Sequence, residues 1–229
     1  MRVLFEDNHL LVVDKPAGLL TQATTPGDDT LVERARAYLK ERWQKPGNVY
    51  VGLVHRLDRT TSGVVVLAKT SKAAARLSEQ LRTHTTIAKR YLAVVHGPAA
   101  AAHLEHTLVE VDDGARVVRD GERIVAGKRA VLDYEPLAVS ARATLLDVRL
   151  LTGRKHQIRV QLAAAHHPLF GDRRYGAPPH DGSARVALHA WRLSLQHPTR
   201  PEQLSFEAPV PEDLRRLCER LELALPPAS

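Results

Sequence analysis

The sequence is poor in the residues that stabilise secreted proteins and in the segments that cross membranes. It contains one cysteine, Cys218, among 229 residues. A single cysteine cannot form an intramolecular disulfide, which is typical of a reducing compartment. No stretch approaches the ~20 apolar residues of a membrane span, and the charged start, residues 1–16, is unlike a signal peptide. We therefore expect a soluble, cytoplasmic protein.

Motifs for common cofactors are also missing. The sequence has no glycine-rich phosphate loop, no dinucleotide fingerprint and no Cys/His spacing suited to a metal ion. The adjacent pair His166 and His167 has poor geometry for binding one metal, and we interpret it as a helix end and a turn. These motifs therefore give no indication of a bound nucleotide or metal ion.

What is present is a basic chain with enough apolar residues for a core. Hydrophobic residues make up 44% of the sequence but aromatics only 4%, so the core must consist mainly of Leu, Val and Ala. Lys and Arg total 33 against 26 Asp and Glu, which gives a net charge of +7. This charge favours a polyanionic partner such as a nucleic acid.

Hydrophobic patterns predict more strands than helices, in an irregular order. This order favours an α+β fold with a mixed, mostly antiparallel central sheet flanked by helices and loops. Thr30 and Ser71 are the predicted N-caps of the first two helices, and the polar stretch 99–127 includes hairpin turns at 112–114 and 119–123. The predicted strands are 9–16, 49–57, 64–68, 89–97, 129–139, 143–151, 187–198 and 203–211, and the predicted helices are 30–43, 71–84, 155–166 and 211–224.

One carboxylate is surrounded by cations in the stretch "HRLDRTTSG". Asp58 lies between Arg56 and Arg59, and nearby positive charge favours its ionised form. An ionised carboxylate is a poor general acid but a good nucleophile or electrostatic stabiliser. If this piece is extended, Arg56 and Asp58 share a face and Leu57 points into the core. The alternative is a turn or capping residue in a surface ion pair.

A second charged cluster follows a Thr-Gly turn in "LLTGRKHQIRVQLA", residues 150–163. If the helix begins at Lys155, then Lys155 and Arg159 share a face. The free N–H groups and partial positive charge of a helix start suit a phosphate group. A solvated basic face explains the same pattern equally well.

These segments, taken in order, resemble the RluA family of RNA pseudouridine synthases. "HRLDRTTSGVVVLAKT" is similar to the catalytic segment of that family, and "VVDKPAGLLTQ" to its first motif. "KRYLAVVHG" is similar to its tyrosine segment, "GKRAVLDYEPL" to its middle strand and "LHAWRLSLQHP" to its late strand. "LLTGRKHQIRVQLAAAHHPLFGDRRYG" matches its long third motif. The resemblance covers essentially the whole chain.

The resemblance implies an isomerase that converts a uridine in ribosomal or transfer RNA to pseudouridine without a cofactor. It implies a single catalytic domain over 1–229 with the pseudouridine synthase fold, without the N-terminal S4-like RNA-binding domain of many relatives. Asp58 is then the catalytic nucleophile, and Arg159 pairs with it. Tyr91 lies against the uracil ring.

The target base must leave its stack to reach an enclosed carboxylate. His55 and Arg56 are then placed to fill the vacated space, and Arg154 and Lys155 to contact phosphate. Lys15, Lys69, Lys89 and Arg90 flank the motifs and extend a possible basic track, although each is by itself more typical of ordinary surface charge. We expect a monomer that binds RNA and no membrane.

Two alternatives compete with this interpretation. A metal-dependent nuclease would use Asp14, Asp58 and Asp172, although the arginines around Asp58 oppose metal binding. An RNA-binding module without activity would explain the charge but not the combination of Asp58, Tyr91 and Arg159.

Overall fold

The computed structural model describes residues 1–44, 46–119, 121–124 and 126–227, and these divide into two compact units. Unit 1 contains residues 1–88 and 190–209, and unit 2 contains residues 89–189 and 210–229. The elements in chain order are β1 (Arg2–Glu6), β2 (Leu10–Lys15), α1 (Leu31–Arg42), β3 (Gly52–Leu53), β4 (Ser62–Ala68), α2 (Ser71–Thr83), β5 (Ile87–His96), β6 (Ala102–Val111), β7 (Gly114–Val117), β8 (Lys128–Val139), β9 (Ala143–Leu150), α3 (Gln157–Ala164), a 3-10 turn (Arg173–Tyr175), β10 (Leu188–Gln196), β11 (Gln203–Glu207) and α4 (Glu212–Arg220).

Unit 1 is built on a sheet with the strand order β1-β2-β4-β10, with β3 paired to β4 and β11 to β10. β2 and β4 are antiparallel, and Val12 lies opposite Val66. Every residue of β4 is buried, which agrees with its nearly uninterrupted apolar sequence. The core around these strands also takes in α2 and β11, and it consists of Leu10, Val12, Val64, Val66, Ala68, Ala73, Leu77, Ile87, Leu193, Leu195, Phe206 and Ala208.

Unit 2 contains an antiparallel sheet with the strand order β5-β9-β8-β6-β7. The predicted turn at 112–114 joins β6 to β7, but the polar stretch around it forms strands that the sequence analysis did not assign. The turn predicted at 119–123 includes residue 120, which lies outside the described residues. Burial alternates along most of β6, because one face of this strand is covered and the other is open to solvent. α4 buries Leu214, Leu217 and Cys218, and the thiol is a small core residue of this helix.

The α+β fold and the predominance of antiparallel strands are confirmed. The cap at Thr30 is also confirmed, because its side chain accepts a hydrogen bond from the backbone N–H of Glu33. The second helix is capped by Thr70 and not by Ser71. The single catalytic domain over 1–229 stays a prediction. No helix of the described residues combines the length and apolar character needed to cross a bilayer.

Two predicted elements near the charged motifs were wrong in extent. The strand predicted at 49–57 shrinks to Gly52–Leu53, because the ring of His55 takes the next backbone donor of β4. The helix predicted from Lys155 begins at Gln157. His156 lies in the left-handed region with φ of 54°, so a regular helix cannot pass through it.

Candidate active site

In unit 1, Asp58 lies in the irregular segment between β3 and β4. Arg56 is exposed, Leu57 is buried and Asp58 is half-buried, so the predicted alternation of faces is confirmed. The backbone carbonyl of Asp58 accepts a hydrogen bond of 3.1 Å from the N–H of Thr61, which closes a tight turn after it.

The first motif holds this segment on both sides of Asp58. The hydroxyl of Thr21 donates to the carbonyl of Leu57 at 2.7 Å and accepts from its N–H at 3.3 Å. On the other side, the N–H of Gly18 donates to the carbonyl of Arg59 at 2.8 Å, and Nε of Arg59 donates to the carbonyl of Gly18 at 3.0 Å. These bonds restrict the backbone that carries Asp58, as a preorganised reactive group requires.

Lys15 completes this support from within unit 1. It is fully buried, and its Nζ donates to the carbonyls of Leu19 at 2.8 Å, Pro16 at 3.1 Å and Arg59 at 3.4 Å. A buried ammonium is tolerated when its donors have acceptors. The idea that Lys15 extends a surface basic track was therefore wrong, because its charge is used to join the first motif to the Asp58 segment.

His55 and Gly63 fix the segment to β4. Nε2 of His55 accepts a hydrogen bond of 3.0 Å from the N–H of Val66, so this nitrogen carries no proton. Gly63 has φ of +117°, and a Cβ there would lie 2.1 Å from the carbonyl oxygen of Ala190. Only glycine permits this close approach at the start of β4.

In unit 2, Arg159 is buried on α3 and held by a carboxylate that sequence analysis considered only as a metal ligand. Nε of Arg159 donates to Oδ2 of Asp172 at 2.7 Å, and its second terminal nitrogen donates to Oδ1 at 2.9 Å. Asp172 is 1% exposed, so this bidentate pair lies in a low-dielectric interior. The planar guanidinium is thereby fixed in one orientation.

Tyr175 packs against the same guanidinium. Its ring centre lies 5.1 Å from Cζ of Arg159, a cation–π contact. Its hydroxyl accepts from the N–H of Ala115 at 3.0 Å and shares a hydrogen bond of 2.9 Å with Nδ1 of His156. A Cβ at Gly114 would lie 2.6 Å from that hydroxyl, so glycine makes room for Tyr175. The pKa of Tyr175 is raised, chiefly by burial.

Sequence analysis missed the supporting roles of Asp172 and Tyr175. Both residues stand in "GDRRYG", the last part of the third motif, which was quoted for the resemblance without a role. The available signal was a carboxylate followed three residues later by a tyrosine. Nothing local in that pattern indicates which cation it holds.

Tyr91 lies on β5 of unit 2, 7% exposed, with Lys89 two residues before it. Arg90 between them is exposed and forms an ion pair of 2.6 Å with Asp147. Residues i and i+2 of a strand point to the same face, so Lys89 and Tyr91 share the covered face of β5. Lys89 is 8% exposed, and burial lowers its pKa to about 8.

Arg154 and Lys155 both precede α3 and therefore do not share a helix face with Arg159. Arg154 is exposed and its Nε donates to the carbonyl of Arg129 at 3.0 Å, while Lys155 is half-buried. The side chain of Gln157 accepts from the N–H of Arg154 at 3.0 Å, which closes the turn before the helix. The basic cluster consequently lies on a turn rather than on a helix face.

The proposed basic track along the motifs is corrected at further positions. Lys69 is nearly buried in unit 1 and pairs with Glu6 at 2.6 Å, so it serves the fold. The same correction applies to Lys15 and Lys89, which are buried, and to Arg90, which pairs with Asp147. The exposed cations of these motifs that form no ion pair within the described residues include Arg56, Arg59, Arg154 and Arg173.

Two of the carboxylates named for the nuclease alternative are poorly suited to binding a metal ion, one because an arginine binds it and one because it is partly buried. Both oxygens of Asp172 accept hydrogen bonds from Arg159. Asp14 is on β2, where burial raises its pKa despite the nearby charges of Arg2 and Lys15. Within residues 1–44, 46–119, 121–124 and 126–227, no three acidic, His or Cys side chains are grouped closely enough to hold a metal ion.

Comparison with known proteins identifies the chain at the level of sequence. A family model described as RNA pseudouridylate synthase matches residues 9–164. "Ribosomal large subunit pseudouridine synthase D" of Zymomonas mobilis is 36% identical over 98% of this chain and 74% of its own length. The enzyme of the same name from Nitrosomonas europaea is 37% identical over 96% of this chain, which spans 65% of that relative.

The fold agrees with this match. The solved structure of "Human RNA Pseudouridylate Synthase Domain Containing 4" superposes with a TM-score of 0.83 at 24% identity, over 99% of this chain and 95% of the human chain. The pseudouridine synthase fold predicted from the motifs is therefore confirmed. The chain belongs to the RNA pseudouridine synthase family of isomerases, in the RluA branch that its motifs predicted.

Proposed function

We propose that this protein isomerises a uridine of large-subunit ribosomal RNA to pseudouridine. The observation that carries the choice of substrate is the name shared by the two bacterial relatives, which match nearly the whole chain at 36% and 37% identity. The net charge of +7 supports an RNA partner. Transfer RNA is the second candidate, and the same assay tests it.

Asp58 is the proposed catalytic residue. In the reaction the bond between uracil N1 and ribose C1′ breaks, the base turns, and C5 bonds to C1′ while the proton of C5 is lost and N1 gains one. Atoms and electrons balance within the substrate, so no redox partner or energy donor enters. The carboxylate acts as nucleophile or as stabiliser of the cleaved sugar, and a segment clamped through Thr21 and Arg59 supports both roles.

Tyr91 and Arg159 are the proposed catalytic residues of unit 2. Tyr91 would lie against the uracil ring, with its hydroxyl placed to handle the C5 proton. The bidentate bond from Asp172 and the ring of Tyr175 support Arg159 as a rigid cation. The pairing of Arg159 with Asp58 stays a prediction of the motif resemblance.

RNA binding is proposed for His55, Arg56, Arg154 and Lys155. Exposure supports Arg56 as the side chain that fills the space left by the flipped base, whereas His55, bonded to β4, would orient its neighbour. We further propose that residues 1–229 act as one catalytic domain, because the chain passes between the two units three times. A monomer in the cytoplasm, where ribosomes are made, completes the proposal.

The test uses unmodified bacterial 23S ribosomal RNA and transfer RNA, each transcribed with tritium at uridine C5. Forming the C5–C1′ bond must release that label to water, without metal or cofactor. Release from 23S RNA by the unmutated protein, and none by Asp58→Asn, is the expected result. Release from transfer RNA alone would refute the ribosomal assignment, and release from neither would refute the activity on both classes.

A further inference from the structure

Lys89 is a buried cation for which the fold supplies no counter-charge. Its side chain is more than nine-tenths buried on β5. Across the described parts of the chain, its Nζ makes no hydrogen bond and no ion pair, and burial is the sole cause of its lowered pKa. The other buried lysines of the motifs differ, because Lys15 donates to three carbonyls and Lys69 pairs with Glu6. A buried ammonium without acceptors is unfavourable for folding, so a bound group is its expected partner.

The end of Lys89 is directed at the turn before α3. The position that a Cβ would occupy on Gly153 lies 3.4 Å from Nζ of Lys89. The backbone N–H groups of Gly153 and Lys155 have no acceptor among the described residues. Gly153 is exposed, so the ammonium of Lys89 lies beside a turn near the surface that has two N–H groups without acceptors among the described residues.

The donors in this turn have the chemistry of an anion site. Backbone N–H groups before a helix and a lysine ammonium are the usual ligands of a phosphate oxygen. Asp147, the acid of the neighbouring strand, is already bound by Arg90. A phosphate would give Lys89 the counter-charge that the fold withholds. A side chain at position 153 would occupy part of the space next to Nζ of Lys89.

We propose that Lys89, together with the amides of the Gly153–Lys155 turn, binds a backbone phosphate of the RNA beside the target uridine. This inference rests on the proposed RNA substrate. It makes Lys89 a substrate-positioning residue on the same strand face as Tyr91. The contact would fix the ribose-phosphate of the flipped nucleotide while the base is held elsewhere.

The experiment measures binding of unmodified 23S ribosomal RNA at several salt concentrations. The proteins are the unmutated chain, Lys89→Met and Lys89→Arg, each checked for folding by circular dichroism. Loss of one phosphate contact should lower the slope of log Kd against log salt by about 0.7–0.9. Lys89→Met should show this change and bind about 10-fold more weakly at ~0.1 M salt, whereas Lys89→Arg should keep the slope.

A slope in Lys89→Met equal to that of the unmutated protein would overturn the proposal, whatever happens to the affinity. A contact with a neutral uracil carbonyl, or a purely structural role, would give that result. Tritium release is measured in parallel on the same RNA. A Lys89-dependent slope without release by the unmutated protein would support the phosphate contact while refuting the isomerase activity on this RNA.

Discussion

Replacing Lys89 with Met should stabilise the protein at neutral pH. Burial lowers the pKa of Lys89 from its usual 10.5 to about 8. Below pH 8 the lysine is protonated in the folded and unfolded states, and the folded state bears the full cost of the buried charge. The difference of about 2.5 pKa units, at ~1.4 kcal/mol each, amounts to between about 3 and 4 kcal/mol at pH 7. Methionine fills similar space without a charge and removes this cost.

The pH dependence of this gain in stability distinguishes the effect of removing the charge from the effect of changed packing. At pH 9.5 the folded lysine is mostly neutral, whereas the unfolded lysine is still mostly charged. Less than half of the cost remains, so the gain in stability from Lys89→Met should fall by about 2 kcal/mol between pH 7 and 9.5. Differences in packing between Lys and Met are the same at both pH values and cancel.

Urea unfolding at the two pH values measures this difference. Circular dichroism is the suitable probe, because both tryptophans, Trp43 and Trp191, lie in unit 1 and Lys89 lies in unit 2. Lys72→Met is the matched control, since Lys72 is exposed on α2. Its change in stability should vary by only a few tenths of a kcal/mol with pH. A gain from Lys89→Met that is the same at pH 7 and 9.5 would refute the idea that a buried ammonium is held at a cost.

The remaining predictions concern the proposed catalytic and RNA-binding residues. Asp58→Asn should abolish tritium release while RNA affinity, measured by filter binding, stays within about threefold; substantial turnover would end the nucleophile assignment. Arg154→Ala and Lys155→Ala should each lower the salt slope of RNA binding by about 0.7–0.9, and an unchanged slope would show that the residue does not touch phosphate. Asp172→Asn should destabilise the protein by about 3–5 kcal/mol in urea and lower kcat more than it changes KM, because the orientation of Arg159 depends on a bidentate carboxylate. Stability equal to that of the unmutated protein would contradict the buried pair.

Much of the Asp58 segment could be predicted because its constraints are local. Alternation along an extended chain requires only that neighbouring side chains point in opposite directions, and Arg56, Leu57 and Asp58 follow it. The cap at Thr30 is equally local, since a hydroxyl reaches an N–H three residues later. The apolar runs of β2 and β4 predicted buried strands for the same reason.

The partners of the charged residues depended on contacts between distant parts of the chain. Position 89 looks like surface charge in a basic strand, and only the covering of that face of β5 makes Lys89 a buried cation. His55 interrupts a predicted strand because its ring reaches Val66, eleven residues later. These contacts arise from how the strands and turns pack, and hydrophobic periodicity carries no information about them.

The sequence by itself therefore determined the family, the α+β class and the candidate residues, because ordered motifs and short-range patterns are written along the chain. The tertiary structure alone decided which cations are bound by acceptors of the protein and which have N–H groups available to bind RNA. Arg159 is bound by Asp172, thirteen residues away across a loop, whereas Lys89 has no acceptor within the described residues. Whether a charge serves folding or binding depends on burial and on partners, and the packed chain sets both.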